Sequence, residues 1–102
     1  MTITKKQEGD ASVLVLEGRV DVNSSGQLQD AILHEFQSVT RLVLDMSEIS
    51  YVSSAGLRAL LIGQKTALSK HASFQLAHVT PDVMQLLHSS GFTRVLSILP
   101  EE

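Results

Sequence analysis

The stretch Arg41-Leu42-Val43-Leu44-Asp45-Met46-Ser47-Glu48-Ile49-Ser50-Tyr51-Val52-Ser53-Ser54-Ala55-Gly56-Leu57-Arg58-Ala59-Leu60-Leu61 decides how this chain folds. Its opening, Arg41 to Leu44, is an apolar, β-branched run of the kind that forms a buried strand. Its close begins a helix: Leu57, Leu60, Leu61 and Leu68 recur at helical spacing, with small residues at Ala55, Gly56, Ala59 and Gly63. Between them the sequence predicts a polar connection ending in two serines. A serine at that junction can cap the helix, because its hydroxyl accepts from first-turn N–H groups that have no partner within the helix. The same position suits a phosphate, since free N–H groups and the positive end of the helix dipole both favour negative charge.

Outward from this stretch, elements alternate. Met1 to Lys6 reads as an edge strand, and Gln7-Glu8-Gly9-Asp10 as a turn. Ser12 to Glu17, apolar on both faces over Val13 to Leu16, reads as a central strand, so the chain opens with an antiparallel hairpin closed by Gly18-Arg19-Val20-Asp21. Asn23-Ser24-Ser25 supplies cap candidates for a first helix with the stripe Leu28, Ala31, Ile32 and Phe36. After the serine helix, which reaches about Lys70, Phe74 to Val79 is the next strand. Thr80-Pro81-Asp82 starts a third helix, with Val83, Leu86 and Leu87 inward and Gly91 at its end. Phe92 to Leu99 leads into a final strand stopped by Pro100. The expectation is one α/β domain over residues 1–102: a mixed, mostly parallel sheet with an antiparallel N-terminal edge and three to four helices. In such sheets, sites gather at the carboxyl ends of the strands, which brings the Asp21 turn and the Ser53-Ser54 junction to one rim.

Composition narrows the function. A chain of 102 residues buries roughly 65% of its unfolded surface, enough for one core. It has no cysteine, hence no disulfide scaffold or thiolate metal site, which fits a reducing, cytoplasmic setting. No apolar run approaches a membrane span, and no signal peptide follows Met1. A net charge of −3 without a basic cluster argues against nucleic acid. The nucleophile elbow G-x-S-x-G is absent around Ser54. His34, His71, His78 and His88 lack both a carboxylate at fixed spacing and an i, i+4 partner, so neither a triad nor a metal site is expected. No glycine-rich loop with lysine precedes the helix, as nucleotide hydrolysis would need. These residues describe a non-enzymatic chain without cofactor, more suited to be a kinase substrate than an ATPase.

The residues Asp45-Met46-Ser47 and Tyr51-Val52-Ser53-Ser54-Ala55-Gly56-Leu57-Arg58 resemble the signature of the STAS domains, the anti-sigma factor antagonist family. Glu17-Gly18-Arg19-Val20-Asp21 and Gly91-Phe92-x-x-Val95 resemble flanking segments of the same family. The resemblance implies phosphorylation of Ser54, aligned on the glycine before Leu57, with Ser53 as alternative. It departs from the family where Ser53 replaces a frequent aspartate and Ala55 a frequent serine. It implies a partner face made by Asp21, Asn23, Ser53, Ser54, Gly56, Leu57 and Arg58. The implied partners are an anti-sigma factor that is also a serine kinase, and a metal-dependent serine phosphatase. Because STAS-like domains also occur in transporters and lipid-trafficking assemblies, a soluble structural subunit is the alternative.

Overall fold

The computed structural model describes residues 1–100. Its strands are β1 (Thr2–Glu8), β2 (Ala11–Val20), β3 (Arg41–Val52), β4 (Ser73–Ala77) and β5 (Ser97–Ile98). They are interleaved with helices α1 (Ser25–Glu35), α2 (Ser54–Ser69) and α3 (Pro81–Ser89), and a 3₁₀ turn spans Phe92–Arg94. The five strands lie in sequence order, β1 antiparallel to β2 and every later pair parallel. This is the mixed sheet with an antiparallel edge that the sequence predicts, with three α-helices among the described residues.

Sequence-ordered parallel strands joined by crossovers of one hand must put every helix on the same face. The core shows it. Leu14, Leu16, Leu42, Leu44 and Leu76 of the sheet pack with Leu28 and Ile32 of α1, Ala59 and Leu60 of α2, and Val83 and Leu87 of α3. The alternate residues Ala11, Val13, Val43 and Ala77 form a second, smaller apolar cluster to which no helix contributes.

Two expectations about the strands are corrected. β2 runs on through Gly18-Arg19-Val20, and β3 runs to Val52, through the segment Asp45 to Val52 that reads as a polar connection. The cause is a pair of β-bulges. From Val15 to Glu17 of β2 the partner residues are Asp45 to Glu48 of β3, and from Gly18 to Arg19 they are Ile49 to Tyr51. Each slip adds one residue to β3 and rotates the residues beyond it to the other face. Met46, Ile49 and Val52 therefore all reach the core at a spacing of three instead of two.

The α2 stripe also differs from its expectation. Leu60 is buried, but Leu68 is 66% exposed, and the inward face is lined by Gly56, Ala59, Gly63 and Ala67. Small residues let α2 lie close to the sheet: a Cβ on Gly63 would stand 2.8 Å from the Phe74 ring. Phe92–Arg94 forms the 3₁₀ turn, so the last strand shrinks to two residues. Thr80-Pro81 starts α3 as expected, the Thr80 hydroxyl accepting from the Val83 N–H at 3.4 Å.

Candidate functional site

The carboxyl ends of β2 and β3 are neighbours, and the register aligns Val20 with Val52. One residue on, the Ser53 N–H donates to the Val20 carbonyl at 2.8 Å, so the ladder runs into the mouth of α2. Ser53 is extended (φ −82°, ψ 175°) and is the N-cap: its hydroxyl accepts from the Gly56 N–H at 3.2 Å, and its carbonyl accepts from Leu57 N–H at 2.8 Å. The capping role expected of a serine at this junction thus falls on Ser53. Ser54, the first helical residue, is exposed, and its hydroxyl has no hydrogen-bond partner among the described residues.

Gly56 is buried and explains how the two strand ends and the helix fit. A Cβ there would come within 2.7 Å of the Val20 carbonyl oxygen and 2.8 Å of Val20 and Val52 methyls. Only a bare backbone approaches another so closely. Leu57 is half-buried against the core, and Arg58 is exposed one turn beyond Ser54. The solvent-facing surface at this end of α2 is therefore made by Ser54, Arg58 and the outer part of Leu57, while Gly56 sets their position.

The turn after β2 is braced by hydrogen bonds. The Asp21 carboxylate accepts from the N–H groups of Asn23 (3.0 Å) and Ser24 (3.2 Å). The Ser24 hydroxyl donates to the Arg19 carbonyl at 2.7 Å and accepts from the Asp21 N–H at 2.9 Å. These bonds, foremost that from Asn23, hold the Asp21 carboxyl below its ordinary pKa, with further help from Ser24 and the Arg19 guanidinium. The turn presents Asn23 and, 76% exposed, Val22. Beside it Arg19 stacks over the Tyr51 ring at 4.8 Å, and Tyr51 is 38% exposed. Val22 belongs to this rim with no sequence signal beyond its place after a strand end, whereas Arg19 and Tyr51 lie within the segments that carry the family resemblance.

Asp21, Asn23, Ser53, Ser54, Gly56, Leu57 and Arg58 thus gather at one end of the sheet. Among the described residues no cluster of three His, Asp or Glu side chains forms a metal site, and no helix is long and apolar enough to cross a membrane.

The chain as a whole, and the fold that carries this rim, match known proteins. Residues 3–100 match the family model described as "Mlab, STAS domain". The chain belongs to this STAS-domain family. BtrV of Bordetella bronchiseptica, assigned as an anti-sigma factor antagonist, is 30% identical over 98% of this chain and 84% of its own length. The fold superposes on the crystal structure of a Thermotoga maritima protein assigned as an anti-sigma factor antagonist, with a TM-score of 0.88 at 16% identity, covering 97% of this chain and 86% of that one. It superposes on the Bacillus cell-fate determinant SpoIIAA in its phosphorylated form with a TM-score of 0.72 at 18% identity, covering 98% and 93%.

Proposed function

We propose that this chain is an anti-sigma factor antagonist controlled by phosphorylation of Ser54. Unmodified, the rim formed by Asp21, Val22, Asn23, Tyr51, Ser54, Leu57 and Arg58 docks onto a cytoplasmic anti-sigma factor that is also a serine kinase. That docking displaces the kinase's sigma-factor client. Phosphorylation ends it, and a metal-dependent serine phosphatase restores it. The chain acts as a binding module and substrate, without cofactor or catalytic residue of its own.

One observation carries the choice of residue. Ser53 is held as the helix cap, whereas Ser54 offers a solvent-exposed, unengaged hydroxyl on the first turn. A phosphate there adds about −1.5 to −2 charges, which the helix N-terminus tolerates within the protein. Across an interface one like-charge pair at ~5 Å, with an effective dielectric near 20, costs on the order of 3 kcal/mol. That is about a hundredfold in affinity, with no refolding.

The test is incubation with the serine kinase from the chain's own source and ATP, followed by peptide mass mapping and calorimetric titration of the partner. One phosphate on Ser54 is expected. Ser54→Ala should bind and resist the kinase, and Ser54→Asp should bind about a hundredfold more weakly by the same arithmetic. Modification confined to Ser53, or equal affinity of the two variants, removes the proposal.

The occurrence of STAS-like domains in transporters and lipid-trafficking assemblies suggests one second reading, a soluble structural subunit of such an assembly. A pull-down that recovers a transporter ATPase in place of a kinase or phosphatase supports it.

A further inference from the structure

Helix α2 carries the cations Arg58 and Lys65, no carboxylate in any turn, and Ser54 at its first position. Ser54 and Arg58 stand four residues apart, one above the other on the solvent side of the helix, and both are exposed. The positive charges elsewhere on the sheet are committed. Lys5 pairs with Glu35, Lys6 with Glu8, Arg19 with Asp21 and Arg41 with Asp10. Arg58 has no carboxylate within ion-pair distance among the described residues.

We infer that Arg58 is a conditional cation: free for the partner while Ser54 is unmodified, and captured by the chain's own phosphate once Ser54 is phosphorylated. This rests on the Ser54 reading above and adds the second half of the switch. An anion four residues N-terminal to a cation is the favourable order on a helix, because it also agrees with the dipole. The guanidinium fork matches phosphate oxygens with two parallel hydrogen bonds, which an ammonium cannot do. Lys65 lies eleven residues from Ser54, about three turns away and out of reach. Arg19 is held elsewhere, between Asp21 and the Tyr51 ring. Phosphorylation then acts on docking twice. It adds negative charge to the rim, and it withdraws the arginine that an acidic group of the partner would use.

The test needs neither the partner nor the kinase. Phosphoserine is installed at position 54 by genetic encoding, and the phosphate is titrated by ³¹P NMR in the otherwise unchanged chain, in Arg58→Ala, in Arg58→Lys and in Lys65→Ala. The second phosphate ionisation of the chain with Arg58 should fall at a pH lower by about 0.15–0.4 than in Arg58→Ala, from the strength of an i, i+4 pair. Arg58→Lys should fall between them and Lys65→Ala should match the unchanged chain. The difference should shrink as salt is raised. The helix terminus acts equally in all four, so it cannot produce the difference. Coincident midpoints for Arg58 and Arg58→Ala overturn the inference, even if a kinase modifies Ser54. A shifted midpoint with no kinase labelling of Ser54 instead upholds the ion pair and removes the phosphoswitch.

Discussion

The two faces of the sheet are closed by different means. On one, three helices bring Leu28, Ile32, Leu60, Val83 and Leu87 onto the strand leucines in a close-packed layer. On the other, Ala11, Val13, Val43 and Ala77 are also buried, 4–8% exposed, yet no helix lies over them. Lys6 stands opposite Val13 in the register, and Lys6, Glu8, Arg41, Asp45, His78 and Leu99 wall a shallow trough of about 290 Å³ around that floor. The heads of the long side chains are pinned to acids: Lys6 to Glu8 at 2.9 Å and Arg41 to Asp10 at 3.2 Å. Their aliphatic stems are then free to shelter the valines while the charges stay in water. A small domain can leave half its sheet without a covering layer if that half is narrow and bordered by lysine and arginine.

The sharpest break in this comparison comes from core truncation. Leu60→Ala, under α2, should cost about 2–5 kcal/mol in denaturant unfolding, because the packed surroundings cannot close the cavity. Val43→Ala should cost less, since the pinned stems above it can settle onto the smaller floor. Equal costs would show that the uncovered face is as rigid as the covered one.

Next comes the junction of α2 with the strand ends. Gly56→Ala forces a methyl group against the Val20 carbonyl, a backbone atom that cannot rotate aside, and should cost about 1–3 kcal/mol. Gly63→Ala meets the Phe74 ring, a side chain and not backbone, and should cost less in the same thermal melts.

The smallest effect concerns the uncovered face. Bonding to Glu8, then the charge of Glu8 and of Asp45, raises the Lys6 pKa. A raised pKa means the charged form is favoured on folding, so its contribution is complete below the ordinary value near ~10.4 and is lost as pH rises through the raised one. Lys6→Met keeps the stem and removes the charge. Its melting temperature should trail the parent slightly at pH 8, and the gap should narrow as pH rises beyond the ordinary lysine value. Lys6→Ala should retain a deficit across that range.

Most of the fold was legible because its elements carry local signals. The unbroken apolar run Val13 to Leu16 marked β2 as central, and Thr80-Pro81 marked the start of α3. The second half of β3 was hidden because two bulges break the alternation on which strand recognition depends, and its exposed residues Ser47, Glu48 and Ser50 read as a loop. Leu68 was misplaced because helical spacing alone does not say that Ala59, Gly63 and Ala67 let the helix press inward on a neighbouring line. The site was half legible. Residue type and resemblance brought Asp21, Ser53 and Ser54 forward, but which serine caps depends on where the strand stops. Val22 entered only through its exposure, and the stacking of Arg19 on Tyr51 only through the folded strand ends.

The paired bulges in β3 have a consequence for how this segment can vary through descent. Substitution among its outward positions leaves Ile49 and Val52 indoors, but losing or gaining a single residue between Met46 and Val52 would swing one or both of them into water. The same change would turn the entrance of α2, and Ser54 with it, away from the Asp21 loop. Chain length here is constrained more tightly than chemistry.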